Sequence, residues 1–94
     1  MIIKKTIGGV IALIIILLFG GIFYSYIEGW RFIDSLYFSA MTITTVGYGD
    51  FTPKTDIGKI FTIIFAIIGV ATWLYLAAAV GKAILFKSNK NKRL

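Results

Sequence analysis

Thr45-Val-Gly-Tyr-Gly-Asp50 stands between two long apolar stretches. Its chemistry belongs to the main chain rather than to side chains. Gly47 and Gly49 alternate with Val46 and Tyr48, a pattern that neither packs a core nor sustains a helix. Glycine enters left-handed backbone regions without steric cost. A strand that alternates left- and right-handed residues turns successive carbonyls to one side and side chains to the other. The carbonyls of Thr45, Val46, Gly47 and Tyr48, with the Thr45 hydroxyl and the following Gly49, would then form a ladder of oxygens. Rings of such oxygens replace the hydration shell of a bare cation. One ion needs oxygens from several chains, and a cyclic arrangement of copies is the natural closed solution.

Other chemistries are poorly supplied. The chain has no cysteine and no histidine, so thiolate chemistry, disulfides and imidazole base catalysis are excluded. Four acids and one proline complete an inventory without an acid–base pair, a nucleophile system or a metal cluster. An enzyme is not expected. No nucleotide site that could drive a pump is present.

Composition places the chain in a bilayer. Of its 94 residues 59% are hydrophobic and 15% charged, more apolar surface than one small domain can hide. No charged residue occurs in 6–27 or in 60–86 before Lys82. Each run is long enough for the about 20 residues that span a membrane as a helix. The first exceeds the apolar core of a signal peptide, about 7–15 residues, and no Ala-x-Ala cleavage site follows it. Lys4 and Lys5 flank one end; Lys82, Lys87, Lys90, Lys92 and Arg93 flank the other. Glu28, Asp34, Asp50 and Asp56, the only acids, all lie between the runs. The positive-inside rule then places both termini in the cytoplasm. The basic tail 87–94 reads as a solvated end that touches anionic headgroups. With no aromatic residue interleaved beyond Phe86, it is not expected to bind nucleic acid.

Residues 34–44 have the length and pattern of a short helix, with Asp34 as its N-cap. Leu36, Tyr37, Phe38, Ala40, Met41 and Ile43 make it apolar nearly all round. Eleven residues reach only about 16 Å, half a bilayer, as in a re-entrant segment. The irregular backbone that follows is tolerated at that depth only where protein or a water-filled cavity surrounds it. The negative end of this helix points through Thr44 toward the oxygen ladder and favours cations there.

Thr42-Ile-Thr-Thr-Val-Gly-Tyr-Gly-Asp50 resembles the signature of potassium channels, and Pro53 follows as it often does in that family. Outer helix (6–27), turret, pore helix (34–44), selectivity filter (45–50) and inner helix (60–86) occur in order. Together they resemble the two-transmembrane pore module of prokaryotic channels. The resemblance implies a single all-α membrane pore domain over 1–94, assembled as a homotetramer around a central pore in the plasma membrane. It implies potassium as the permeant ion, held by Thr45, Val46, Gly47 and Tyr48, with selectivity over sodium and no organic cofactor.

The resemblance also assigns supporting roles. Tyr37 and Phe38 occupy the position of an aromatic pair, expected with Tyr48 as a cuff of rings behind the filter. Thr44 and Asp50 flank the filter, and a Tyr37–Asp50 hydrogen bond is expected. Met41 departs from relatives that carry a glutamate there. Gly69 matches the inner-helix glycine and is read as a gating hinge; close helix packing is the alternative. Val70, Trp73 or Leu74, Ala77 and Gly81 follow a helical spacing that would line the pore. Trp30, in the turret, is expected as an interfacial anchor.

No arginine-repeat helix is present, so no voltage sensor is expected. The stimulus that opens the pore is not visible; the chain reads either as a minimal channel or as the pore of a longer one with a cytoplasmic regulatory domain or subunit. Two competing readings remain: a weakly selective cation pore, and a non-conducting membrane or modulatory subunit with a vestigial filter.

Overall fold

A computed structural model describes the backbone of residues 2–92 and the side chains of residues 3–86. Three helices follow one another: α1 (Ile2–Glu28), α2 (Phe32–Ile43) and α3 (Asp56–Lys92). Among the described residues there is no strand. The molecule is elongated, 57 × 23 × 21 Å, as a 37-residue helix rising about 1.5 Å per residue requires.

Both long helices are apolar all round, and only 17% of the most apolar window of each is buried within the chain. A core helix of a soluble protein would be mostly buried. Ile14, Ile15, Ile22, Ile63, Ile67 and Leu74 stand exposed on their outer faces. Lipid or further copies must cover them.

The helices overrun the uncharged stretches read from sequence, because charged ends remain helical once outside hydrocarbon. The backbone of α3 continues to Lys92; the side chains of the basic tail 87–94 lie outside the described residues. At the start of α2 the expectation shifts by two residues. Arg31, not Asp34, holds the N-cap position, and no side chain caps the helix. Asp34 sits in the first turn, where its charge still suits the helix end. Its Oδ2 lies 3.8 Å from Arg31 Nε.

α2 docks on α1 through small residues. Ser35 and Ser39 are fully buried, and their hydroxyls donate to the carbonyls of Arg31 (3.1 Å) and Ser35 (2.8 Å). Gly20 and Gly21 of α1 let them in. A Cβ at Gly20 would collide with Ser39 Oγ and lie 2.8 Å from Phe65 Cζ; one at Gly21 would lie 2.9 Å from Leu36 Cδ2. Small residues at membrane helix contacts allow such close approach.

The core is aromatic. Tyr24, Phe38, Ile43 and Phe65 are buried, with Phe23, Trp30, Phe51 and Phe61 packed against them. Tyr24 meets Phe38 edge-on at 4.9 Å and stacks on Trp30 at 5.7 Å. Its hydroxyl lies 2.5 Å from Thr62 Oγ1. Thr62 donates to the Gly58 carbonyl at 2.7 Å, so Tyr24 is the donor in the bond between them. Trp30, expected as an interfacial anchor, packs against this cluster, with Phe38 at 5.2 Å and Phe51 at 5.4 Å. The short α1–α2 connection, with Gly29 at φ +74°, folds it back onto α1.

Candidate ion-conduction site

The short helix ends in a set of threonine and backbone bonds that hand the chain to the loop. Thr42 Oγ1 donates to the Phe38 carbonyl at 2.8 Å, and Thr44 Oγ1 to that of Ala40 at 2.6 Å. Thr45 N–H donates to the Thr42 carbonyl at 3.1 Å, and Gly47 N–H reaches back to that of Met41 at 3.0 Å. These bonds hold the first half of the loop against the negative end of α2.

From Thr45 the backbone alternates in handedness. Thr45, Gly47 and Gly49 have φ of +64°, +54° and +89°, and among the described residues Thr45 is the one non-glycine residue with positive φ. Two of the three were expected from the glycines. Thr45 was not: a β-branched residue at positive φ is strained, by about 1–3 kcal/mol. Its Oγ1 donates to the Thr44 carbonyl at 2.5 Å, which offsets part of that cost. Among the described residues the carbonyls of Thr45, Val46, Gly47 and Tyr48 accept no hydrogen bond within the chain. The loop is exposed throughout, Tyr48 to 76% and Val46 to 58%. Exposed carbonyls of this kind are open to water or to a group outside the single chain.

Residues expected to support the loop separate into two groups. Tyr37 lies within electrostatic reach of Asp50, and its ring meets Phe51 at 6.3 Å. Phe38 points the other way, into the Tyr24–Trp30 core. Adjacent helical residues project about 100° apart, so one turn of α2 faces both the loop and the core. No ring contact joins Tyr48 to Phe38 among the described residues.

Gly69 lies buried on α3 against the last residue of α2. A Cβ there would collide with Ile43 Cγ2 and lie 3.0 Å from Ile43 Cβ. Ile43 is 1% exposed. The end of the short helix thus rests in a socket that glycine opens, immediately before Thr44 and Thr45. Farther along α3, Leu74 and Ala77 are exposed and Trp73 is half-buried.

The turret contributes a residue whose role was not visible in sequence. Glu28 ends α1, and its carboxylate accepts from Lys54 N–H at 2.8 Å, from Thr55 N–H at 3.3 Å and from the Thr55 hydroxyl at 2.5 Å. Thr55 Oγ1 in turn accepts from Gly58 N–H at 2.9 Å, closing the first turn of α3. Glu28 therefore clasps the two long helices together at the end where the 45–50 loop returns. Glu28→Gln replaces one acceptor oxygen with a donor that faces N–H groups. The expected cost is roughly 1 kcal/mol per chain, read as a lower midpoint for thermal dissociation of the purified assembly. An unchanged midpoint would remove the clasp from the account.

Comparison with known proteins agrees with this geometry. The family described as "Ion channel" matches residues 11–86. The "Probable potassium channel protein 2" of Methanocaldococcus jannaschii is 40% identical over 82 residues, 87% of this chain and 24% of that protein. "Potassium channel protein 1" of the same organism is 40% identical over 67 residues, 71% of this chain and 20% of that protein. Its "Hyperpolarization-activated voltage-gated potassium channel" is 55% identical over 50 residues, 50% of this chain and 24% of that protein. The chain thus spans about a quarter or less of the length of these relatives. The match covers both long helices, the short helix and the loop between them, and the chain belongs to the two-transmembrane potassium channel family.

Proposed function

We propose that four copies of this chain surround a central pore that conducts potassium passively down its gradient. The carbonyls of Thr45, Val46, Gly47 and Tyr48, with the Thr45 hydroxyl, replace the ion's water. The observation that carries this reading is the alternation of positive φ at Thr45, Gly47 and Gly49. It is the backbone that turns successive carbonyls to one side. One chain leaves those carbonyls unpaired, and its exposed apolar faces call for further copies. Four short helices then aim their negative ends at the axis, which favours cations without a fixed anion to trap them.

Gly49 completes the ladder, with Asp50, Tyr37 and Thr44 holding its two ends. Both termini lie in the cytoplasm, since every acid sits in the segment between the spans, and the assembly resides in the plasma membrane. The protein carries out no covalent catalysis and needs no organic cofactor. The relatives' greater length points to regulatory domains joined to pores of this kind. Reconstituted vesicles test the proposal. Flux down a potassium gradient should exceed flux down an equal sodium gradient by more than about tenfold, a difference of about 1.4 kcal/mol. Equal fluxes would make the pore a nonselective one; absence of any flux would favour a non-conducting subunit.

A further inference from the structure

Exposure along the chain changes sharply just after the loop. Residues 45–50 and Thr52 are exposed, while Phe51 between them is half-buried. Its ring meets Trp30 edge-on at 5.4 Å and 67°, and Tyr37 at 6.3 Å. Edge-to-face ring pairs at such distances attract beyond the area they bury. Phe51 is thus the first side chain after Thr44 to turn back into the protein.

The loop is fastened differently at its two ends. The N–H groups of Thr45 and Gly47 bond back to carbonyls of α2. Among the described residues no hydrogen bond reaches the main chain of Tyr48, Gly49, Asp50 or Phe51, and the next one is that of Lys54 N–H to Glu28. Between Gly47 and Lys54 the chain is therefore held by a packed ring. The seat of that ring is itself fixed. Ser25 Oγ donates to the Trp30 carbonyl at 2.9 Å. The Trp30 ring stacks on Tyr24, which is fully buried and bonded to Thr62 of α3, and it meets Phe38 of α2. A ring wedged among residues of all three helices has little freedom to shift. Phe51 passes that rigidity to Asp50, its direct neighbour in the chain.

We propose that Phe51, seated on Trp30, is the positioning residue for the Tyr48–Asp50 half of the loop, a role that rests on the conduction function proposed above for residues 45–50. With the seat filled, the backbone at Tyr48 and Gly49 is kept in the geometry that faces the ion. With it empty, no hydrogen bond within the chain opposes rotation of those peptide planes, and Tyr37, within electrostatic reach of Asp50, is left as a weaker restraint. Conduction then fails during sustained opening. A bound potassium ion opposes the same rotation, because it binds the intact ladder in preference to the rotated one.

Currents through the purified assembly in planar bilayers test this. Phe51→Leu keeps an apolar side chain but removes the ring, and its currents should decay about fivefold faster than wild type, the effect of one ring pair. Raising potassium on the Asp50 side of the loop should slow that decay again. Phe51→Tyr keeps the ring and should match wild type. Phe23→Leu removes a ring that stacks on Phe61 at 3.7 Å in the same core, with no printed contact to the loop; it should lower the midpoint for thermal dissociation and leave decay unchanged. Unchanged decay in Phe51→Leu, or equal acceleration in Phe23→Leu, would overturn the role. If Phe51→Leu does not assemble, Phe51→Met, ringless and flexible, is measured in its place. A second measurement needs no conduction: fluorine NMR of the assembly with fluorotyrosine in place of Tyr48. Wild type and Phe23→Leu should give one resonance in potassium, and Phe51→Leu a second one that grows as potassium is withdrawn; identical spectra would overturn the seat. A wild-type assembly that passes no potassium would sink the conduction function instead, and the spectra would still decide whether Phe51 positions the loop.

Discussion

Gly47→Ala should collapse the preference for potassium over sodium by more than about tenfold. At φ +54° nothing lies within 4 Å of the position a Cβ would take, so no side-chain collision in the chain explains such a loss. The penalty is in the backbone. An L-residue in the left-handed region costs roughly 1–2 kcal/mol, and four copies around one axis would bring about 4–8 kcal/mol against the conducting geometry. A loop that already holds Thr45 at φ +64° has little further strain to absorb. The cheaper course is to rotate the peptide plane, which turns one ring of carbonyls away from the ion. Reversal potentials under opposed sodium and potassium gradients measure the outcome. Wild-type selectivity in the variant would contradict the proposal that carbonyls set by alternating backbone handedness select the ion.

Gly69→Ala is expected to have the second large effect, and its partner separates two roles for that glycine. The added Cβ would collide with Ile43 Cγ2. Ile43 is β-branched, stiff at χ1 and 1% exposed, so it cannot swing aside cheaply. Overpacking of this kind costs roughly 1–3 kcal/mol per chain. It pushes on the residue just before Thr44 and Thr45, so both assembly stability and conduction should fall. Ile43→Ala alone should destabilise through a cavity, by about 2–5 kcal/mol. Combined, the two changes should cost less than their sum, because the alanine at 69 occupies space that Ile43 has left. Thermal dissociation of single and double variants gives the coupling directly. A hinge at Gly69 predicts something different: altered opening in Gly69→Ala with no recovery from Ile43→Ala. Additive costs would therefore favour the hinge over the socket.

The two glycine classes show how much was legible in the residues. Gly47 and Gly49 announced a left-handed backbone because they alternate with large side chains in a short polar–apolar segment. Thr45 adopts the same region without any such sign. Its conformation is enforced from outside the loop, by the Thr45 and Gly47 N–H groups bonding back to the end of α2. Gly69 could be singled out, but not what it faces. Ile43 lies far from it in sequence and reaches it only because α2 folds back against α3. Glu28 read as one charged turret residue among several; its acceptor role needed Lys54 and Thr55 brought beside it from the far side of the 45–50 loop.

Tyr37 and Phe38 illustrate the same division at the scale of one helix turn. Their types suggested a shared task behind the filter. Helical geometry sends Tyr37 toward Asp50 and Phe38 into the Tyr24 core. Trp30 likewise read as a membrane-interface residue, since an aromatic ring beside charged residues usually is one. The turn at Gly29 places it over Tyr24, a contact the residue type did not announce.

What the sequence alone determined was local: two uncharged stretches long enough to cross a bilayer, a short apolar helix between them, and a glycine-alternating loop whose useful groups are its carbonyls. Those properties follow from hydropathy, helical rise and the sterics of φ, which need no distant partner. The tertiary structure decided which residues share a contact: Ile43 in the Gly69 socket, Glu28 across the root of α3. Such pairings depend on how three helices cross, and crossing is set by the summed fit of many side chains, which no short stretch of sequence contains.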